Sequence, residues 1–242
     1  MNSGETLLLT ACIQPKGVPF LSITDPEVRL AQYIHSILKW LSSPVTQHIV
    51  VCDNSGFKAD FSELSSLAAQ MNKEFEFISF SGNDYSAIYG KGYGEGEIME
   101  YALSHSDILN RSNVFYKITG RLFVLNHKKI FAAHSRDSCV FSSVSFREKL
   151  RIRRVDTRFF KVSLAAYNEF LKDSYREVRD FEGYYLENAY YDSLKKSGIR
   201  VESFKYCPRY DGLSGTTGRT YHEKRIKFFV KNLLYRMGCY RI

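Results

Sequence analysis

The first half of the chain alternates short apolar runs with longer amphipathic segments. Residues 6–13 and 48–52 are apolar runs that each end in turn-forming residues, which predicts two buried strands. Between them, Asp25 can cap a helix that begins with Pro26 and keeps an apolar face as far as Leu41. The order strand, helix, strand predicts two parallel strands joined by a crossover helix.

The same alternation continues to residue 119. It predicts helices at 61–71 and 95–105 and strands at 74–80 and 114–119. The second half is less regular, with candidate strands at 138–144, 157–162 and 200–205 and candidate helices at 164–172 and 183–196. We therefore predict an α/β fold with a mostly parallel sheet that binds ligands at the carboxyl ends of its strands. Since no repeat or linker divides it, we expect one domain at 1–218 and a tail at 219–242.

Composition narrows the class of protein. The chain has 242 residues, of which 44% are hydrophobic, so it can bury a sizeable core. Its five cysteines are scattered, without a CxxC pair or a spacing suited to zinc, which favours a reducing compartment. The apolar run at residues 7–13 is too short for a signal-peptide core or a membrane span. We therefore expect a cytoplasmic protein.

A glycine-rich segment precedes the helix predicted at 95–105. Residues 89–97 read Tyr-Gly-Lys-Gly-Tyr-Gly-Glu-Gly-Glu, which predicts a flexible loop that opens onto the helix. A phosphate could lie beside Gly92, near the positive end of the helix and the side chain of Lys91. The segment is neither a Walker loop nor a dinucleotide-binding motif. A structural loop in which Glu95 and Glu97 cap the helix fits the same residues.

Polar residues also follow the predicted strands. Asp53 and Asn54 directly follow the second strand, where a carboxylate can bind a ribose hydroxyl or a base, although a plain turn uses the same residues. Thr10 lies near the end of the first strand. The strand at 114–119 ends in Thr119-Gly120-Arg121, and an arginine there can contact a phosphate with two hydrogen bonds, or can simply lie at the surface.

In this order, the segments resemble the nucleotide-sugar domain of GT-A-fold glycosyltransferases. Residues 50–56 are similar to the Val-Asp-Asp-Gly-Ser stretch of the large inverting family two. Residues 90–103 occupy the place of its glycine loop and helix, and residues 116–121 fall on the strand that normally ends in an Asp-x-Asp metal motif. The resemblance implies a Rossmann-like GT-A fold, with Asp53 and Asn54 on the nucleoside and Lys91, Gly92 and residues 119–121 near the diphosphate.

The sequence departs from this family at the metal motif. Thr119-Gly120-Arg121 contains no carboxylate, so Arg121 and Lys91 would have to offset the charge of the diphosphate. We therefore predict metal-independent transfer with no cofactor.

The resemblance also implies a catalytic base and a lid. The family carries its general base on a helix at a distance along the chain that corresponds to residues 181–190, where Glu187 is the first candidate and Glu182 the second. Either glutamate could instead belong to a solvated helix face. Residues 208–218, with Ser214 and Thr216, could close over the donor phosphates, or could be a plain connector.

The positive charge is concentrated near the end of the sequence. Seven basic residues and one acidic residue lie in 219–242, so the net charge is +6 there and only +2 in the rest of a chain whose total is +8. The apolar residues of this segment recur at helical spacing: Ile226, Phe229, Val230, Leu233, Leu234 and Met237. This basic amphipathic helix either packs on the domain or lies on an anionic membrane surface. A second basic run at 147–158 could bind the same surface or an acidic acceptor.

Together these features predict a glycosyltransferase, of the inverting hexosyltransferase type. It would move a sugar from a nucleotide-sugar donor to a hydroxyl of a glycan, with a lipid-linked oligosaccharide favoured by the basic tail. With Arg29, the glycine segment and residues 117–121, the chain is similar to small bacterial transferases of capsule or lipopolysaccharide synthesis. If the basic tail lies on a membrane, we expect a peripheral place on the inner face of the cytoplasmic membrane.

The alternative is a non-catalytic α/β module that binds a nucleotide or a nucleic acid, prompted by the pI of 9.1. We do not expect a nucleic-acid partner, because the charge is confined to the tail. Phosphoryl transfer is disfavoured by the lack of a Walker loop and of a magnesium-binding aspartate pair.

Overall fold

Strand β1 (Glu5–Ala11) lies inside the sheet, with a strand on each side, and its central side chains are apolar on both faces. Leu7 and Leu9 point into one core cluster and Leu8 into the other, and all three are fully buried. This alternation is what a strand with helices on both sides requires. The computed structural model describes residues 5–15, 21–85, 89–135, 138–144, 153–214, 218, 220–221 and 225–242.

The other strands of the described residues are β2 (Thr46–Asp53), β3 (Glu74–Ser79), β4 (Val114–Thr119), β5 (Leu122–Val124), β6 (Cys139–Val140), β7 (Phe159–Ser163), β8 (Val201–Glu202) and β9 (Tyr210–Gly212). The described residues form a seven-stranded sheet in the order β3-β2-β1-β4-β7-β6-β8 and a small ladder of β5 with β9. β1 is parallel to β2 and β4, β2 is parallel to β3, and only β7 runs antiparallel to its neighbours in this sheet. The predicted α/β fold with a mostly parallel sheet is confirmed.

Helices cover both faces of the sheet. They are α1 (Pro26–Leu41), α2 (Ser62–Gln70), α3 (Gly90–His105), α4 (Asp107–Asn110), α5 (His127–Phe131), α6 (Leu164–Ala166), α7 (Leu186–Ser197) and α8 (Arg225–Arg236). The predicted cap of α1 is present, since the Asp25 carboxylate accepts hydrogen bonds from the amides of Glu27 and Val28 at 2.8 and 3.2 Å. The α1 side chains Ile37 and Trp40 pack in the same cluster as Leu7, whereas α3 and α7 contribute to the cluster around Leu8.

The glycine-rich segment is not a loop. Helix α3 starts at Gly90, five residues before the predicted start, and its glycines at 90, 92, 94 and 96 are all buried. A Cβ atom on Gly96 would lie 2.1 Å from Cβ of Tyr175, and one on Gly94 would lie 2.4 Å from the Tyr85 hydroxyl. The glycines therefore allow close packing around the first two turns of a helix, which outweighs their low helix propensity.

The C-terminal part differs from the prediction in one further way. Residues 210–212, expected within the lid loop, form β9 and pair with β5, so that Phe123 lies opposite Asp211. Helix α8 packs on the domain through Tyr235, which is buried together with Tyr240 in the cluster of Leu7. Among the described residues, no helix has both the length and the apolar character needed to cross a membrane.

Candidate functional site

A cleft of about 390 Å³ opens at the carboxyl ends of β1, β2 and β4. Its walls come from α1, from the first turns of α3 and from the start of α7. Seven of the predicted site residues line it: Thr10, Asn54, Lys91, Gly92, Thr119, Arg121 and Glu187. The topology brings them together because parallel strands place their carboxyl ends on one edge of the sheet.

Asp53 lies beneath this edge and does not line the cleft. It is fully buried, and its carboxylate accepts hydrogen bonds from the amide of Ile13 at 2.8 Å and from the hydroxyls of Ser55 and Ser79 at 2.8 and 3.0 Å. The side chain therefore organises the loop from inside instead of facing a nucleoside. Its neighbour Asn54 reaches the cleft and has a buried side-chain oxygen without a hydrogen-bond partner among the described residues.

Four other predicted residues lie outside the cleft or outside the described residues. Gly120 packs on β1, where its amide donates to the carbonyl of Thr10 at 2.9 Å and a Cβ atom would lie 2.7 Å from that oxygen. Glu182 is exposed and does not line the cleft, and neither does Ser214. Thr216 lies outside the described residues.

Two buried arginines face the cleft from α1 and from the end of β4. Arg29 donates to the carbonyls of Cys12 and Ile23 at 2.7 and 3.0 Å, and Arg121 donates to the side-chain oxygen of Gln32 at 3.0 Å. Neither forms an ion pair with a described residue, although they are only 3% and 7% exposed. Nε of Arg121 is buried and has no hydrogen-bond partner among the described residues. The cleft is therefore set up to receive an anion.

The two guanidinium groups lie near the same aromatic ring. Their central carbons are 6.0 and 5.8 Å from the centroid of the Tyr33 ring. Burial lowers the pKa of Arg121 below its ordinary value, and the positive charge of Arg29 acts in the same direction. Sequence reasoning gave Arg29 no role, although an arginine four residues before Tyr33, on the apolar face of α1, was a signal.

Glu187 lies in the first turn of α7 and lines the cleft on the wall that this helix forms. It is half-buried, and its carboxylate accepts a hydrogen bond from the Thr157 hydroxyl at 3.3 Å. Burial raises the pKa of Glu187 above its usual value, and the negative charges of Glu95 and Asp156 add to the increase. A carboxylate with a raised pKa is suited to accept a proton near neutral pH.

An ion pair joins the cleft residue Glu95 to Lys117 of β4. Nζ of Lys117, which is 1% exposed, pairs with the carboxylate of Glu95 and donates to the carbonyl of Thr157 at 2.7 Å. The hydroxyl of Thr10 also donates to Glu95, at 3.4 Å. Glu95 therefore pairs with a strand residue, in addition to its place in the first turns of α3. The sequence signal for this pair is a lysine inside the otherwise mostly apolar strand β4.

Asp180 is a further cleft residue that the sequence did not reveal. Its carboxylate accepts a hydrogen bond from the amide of Gly92 at 3.3 Å, at the start of α3. One of its oxygens is buried without a partner among the described residues. Burial raises the pKa of Asp180, against the opposing effects of the Gly92 amide and of Lys91. Asp180 lies two residues before Glu182, the second candidate for the general base, and it lines the cleft whereas Glu182 does not.

The residues at the end of β4 do not fit a divalent metal ion. They offer the hydroxyl of Thr119 and the guanidinium of Arg121, while the nearby carboxylate of Glu95 is engaged by Lys117. Hard divalent cations select carboxylate oxygens, and a guanidinium repels them. The described residues contain no group of three His, Cys, Asp or Glu that could hold a metal.

No protein-family model and no curated protein sequence matches the chain. Among solved structures, the glycosyltransferase GlyE from Streptococcus pneumoniae TIGR4 superposes with a TM-score of 0.50 at 8% identity, over 84% of this chain and 45% of GlyE. A protein assigned as a nucleotide-diphospho-sugar transferase from Desulfovibrio desulfuricans G20 gives 0.47 at 9% identity, over 83% and 79% of the two chains.

A CMP:2-keto-3-deoxy-manno-octonic acid synthetase complexed with CTP gives a TM-score of 0.41 at 10% identity, over 84% of this chain and 89% of that one. At these low identities the comparisons are informative about the fold alone, and the assignment of the fold rests on the similarity to GlyE. The chain has a Rossmann-like, GT-A-like α/β fold.

Proposed function

We propose that the protein is a glycosyltransferase that moves a sugar from a nucleotide-sugar donor to a hydroxyl group of a glycan acceptor. The observation that carries the proposal is the pair of buried arginines, Arg29 and Arg121, which face the cleft without a carboxylate partner among the described residues. A diphosphate is the anion that such a pair binds well, because a planar guanidinium can make two hydrogen bonds to phosphate oxygens.

The donor takes a defined place in this proposal. Its diphosphate lies against Arg29 and Arg121, and Lys91 of the same cleft supplies a third positive charge. Its nucleoside extends toward Asn54, whose unpartnered side-chain oxygen can accept a hydrogen bond. The sugar then lies between the arginines and the wall that carries Glu187 and Asp180.

Glu187 is the general base of the proposed reaction. As the acceptor oxygen attacks the anomeric carbon, Glu187 takes the proton of the acceptor hydroxyl. The bond from the anomeric carbon to the diphosphate breaks, and its electron pair leaves with the nucleoside diphosphate. The two arginines and Lys91 stabilise the negative charge that develops on this leaving group. A single displacement of this kind inverts the anomeric configuration.

The proposal is metal-independent because the positive charge comes from side chains. The specific acceptor we propose is a lipid-linked oligosaccharide of bacterial surface polysaccharide synthesis, for which the basic C-terminal helix is the support. Asp180 is the alternative base, since it shares the cleft and a raised pKa with Glu187.

The proposal is tested by titrating the protein with a panel of nucleoside diphosphates and nucleotide-sugars in the presence of a chelator. We expect at least one to bind, and Arg121→Gln to weaken its binding about 10- to 100-fold, the effect of losing a hydrogen bond between charged groups. Arg200→Gln is the matched control, since the Arg200 side chain is 91% exposed and does not line the cleft. If none of these ligands bound, the proposed function would be overturned. If binding needed a divalent ion, the metal-independent part of the proposal would be overturned.

A further inference from the structure

Helix α8 has two faces with different surroundings. Its inner face is fixed to the domain: Tyr235 is 4% exposed, and the side-chain oxygen of Asn232 accepts a hydrogen bond from the amide of Cys207 at 3.0 Å. The ring of Phe228 packs against the core and lies 5.5 Å from the Arg209 guanidinium carbon. The helix is therefore held in one orientation without any contribution from its outer face.

The outer face is apolar and uncovered. Five large apolar side chains form one stripe at helical spacing: Ile226, Phe229, Val230, Leu233 and Met237 are 81%, 71%, 52%, 48% and 67% exposed. Among the described residues, the three most exposed large apolar side chains all belong to this stripe. Contiguous exposed apolar surface of this kind marks an interaction site.

The charges beside the stripe identify its partner. Arg225, Lys227, Arg236 and Arg241 are exposed, and none forms an ion pair with a residue that the structure describes. The sequence from 225 to 242 contains no aspartate or glutamate. A second copy of the same face would bring like charges together, which is unfavourable. A nucleic acid would leave the apolar stripe uncovered.

We infer that the outer face of α8 docks on an anionic lipid bilayer, with the stripe inserted at the level of the headgroups. An apolar stripe flanked by cations matches the two parts of such a surface, the acyl boundary and the anionic phosphates. The docking is independent of the reaction. Its consequence, that the acceptor is presented at a membrane, rests on the proposed glycosyltransferase function.

The test is sedimentation of the full chain with phosphatidylcholine vesicles that contain or lack phosphatidylglycerol. We expect binding to the anionic vesicles that falls as salt is raised. The double variant Phe229→Ser with Leu233→Ser should lose at least about tenfold in partitioning, because two apolar side chains no longer insert. Lys227→Gln and Arg236→Gln should each lose about fivefold, which corresponds to about 1 kcal/mol per cation.

The control is the double variant Met71→Ser with Leu125→Ser, which removes two apolar side chains that are 40% and 49% exposed elsewhere on the molecule. We expect it to bind vesicles like the wild type. Equal loss in the control, no binding by the wild type, or a dimer that Phe229→Ser with Leu233→Ser converts to a monomer while vesicle binding persists would each overturn the inference. Titration of the same variants with nucleoside diphosphates measures donor binding separately, so a failure of membrane docking can be distinguished from a failure of the proposed function.

Discussion

Two regions of the molecule hold arginine side chains that are partly or almost wholly buried, and they differ in what faces the charge. The side chain of Arg158 is 32% exposed, whereas Arg29 and Arg121 are 3% and 7% exposed. Just before β7, Nε and Nη2 of Arg158 donate to the two carboxylate oxygens of Asp156 at 2.9 and 2.6 Å. At the edge of the cleft, Arg29 and Arg121 donate to carbonyls, an amide oxygen and a hydroxyl, without a carboxylate among the described residues. The first region is neutral as a pair, and the second carries two uncompensated positive charges.

The pKa values follow this difference. Burial alone would lower the pKa of Arg158, but the neighbouring carboxylate of Asp156 raises it. Burial lowers the pKa of Arg121, and Arg29 acts in the same direction. The fold thus stabilises the charge of Arg158 and disfavours that of Arg121. A buried charge that the fold does not compensate is a feature of ligand sites, where the ligand supplies the counter-charge.

The largest effect is expected on the other wall of the cleft, for Glu187→Gln. If Glu187 is the general base, transfer falls about 10²- to 10⁴-fold in an assay of donor and acceptor turnover. The pKa of Glu187 is raised in the folded state, so stability is lost as the pH rises through that value, and the neutral amide avoids this loss. We therefore expect a higher thermal midpoint at pH 7 together with the loss of activity.

The control for this variant is Glu63→Gln, an exposed glutamate on α2 outside the cleft, which should change neither property. The wild-type rate should also fall on acidification at a pH above the usual glutamate range, since the base must be ionised. Near-normal turnover of Glu187→Gln would transfer the role of base to Asp180.

The next largest effect is on stability, at the paired arginine. Asp156→Ala leaves Arg158 without its partner, and we expect the free energy of unfolding in urea to fall by about 2–3 kcal/mol with nucleoside diphosphate affinity unchanged. Burial of Asp156 raises the pKa of its carboxyl group, but the positive charge of Arg158 and its hydrogen bonds together outweigh this effect, so the pKa in the folded state is lowered. The pair therefore stabilises the protein above the unfolded pKa of Asp156 and stops doing so as the pH falls through the folded value.

The matched control for this pair lies on the surface. Asp173 pairs with Arg176 at 3.2 Å, and its side chain is 76% exposed, so Asp173→Ala should cost less than about 1 kcal/mol. If both aspartate variants were equally stable, or if Asp156→Ala weakened nucleotide binding, the distinction between structural and ligand-binding arginines would be lost.

The sequence predicted the regular half of the fold well. The apolar runs of β1 and β2 and the Asp25-Pro26 start of α1 are local signals, and the structure has these elements where they were predicted. The sequence did not predict that α3 begins at Gly90. The glycines of this helix are required by tertiary contacts, such as the one with Tyr175, and no local sequence pattern reveals those contacts. β9 has three residues, which is too short for a detectable period.

The site was predicted in part, for a related reason. Lys91, Arg121 and Glu187 line the cleft, and each lies within a few residues of the start or end of an element that the sequence predicted. Arg29 and Asp180 enter it from the side of a helix and from a 3₁₀ turn, and each is held there partly by a residue distant along the chain, Cys12 at 17 residues and Gly92 at 88 residues. Asp53 stands at the expected place in the chain, yet its hydrogen bonds with Ile13 and Ser79 turn it into the interior.

The smallest effect is expected for the stability of Arg121→Gln without ligand, which should lie within about 1 kcal/mol of the wild type. The lost hydrogen bond to Gln32 is worth about 1 kcal/mol, and removing an uncompensated buried charge acts in the opposite direction. A nucleoside diphosphate at 100 times its Kd should then stabilise the wild type by about 2.7 kcal/mol and the variant much less, so that their thermal midpoints separate only when ligand is present. Arg200→Gln should follow the wild type in both conditions. A loss of 3 kcal/mol or more without ligand would group Arg121 with Arg158, as a charge that the fold itself requires.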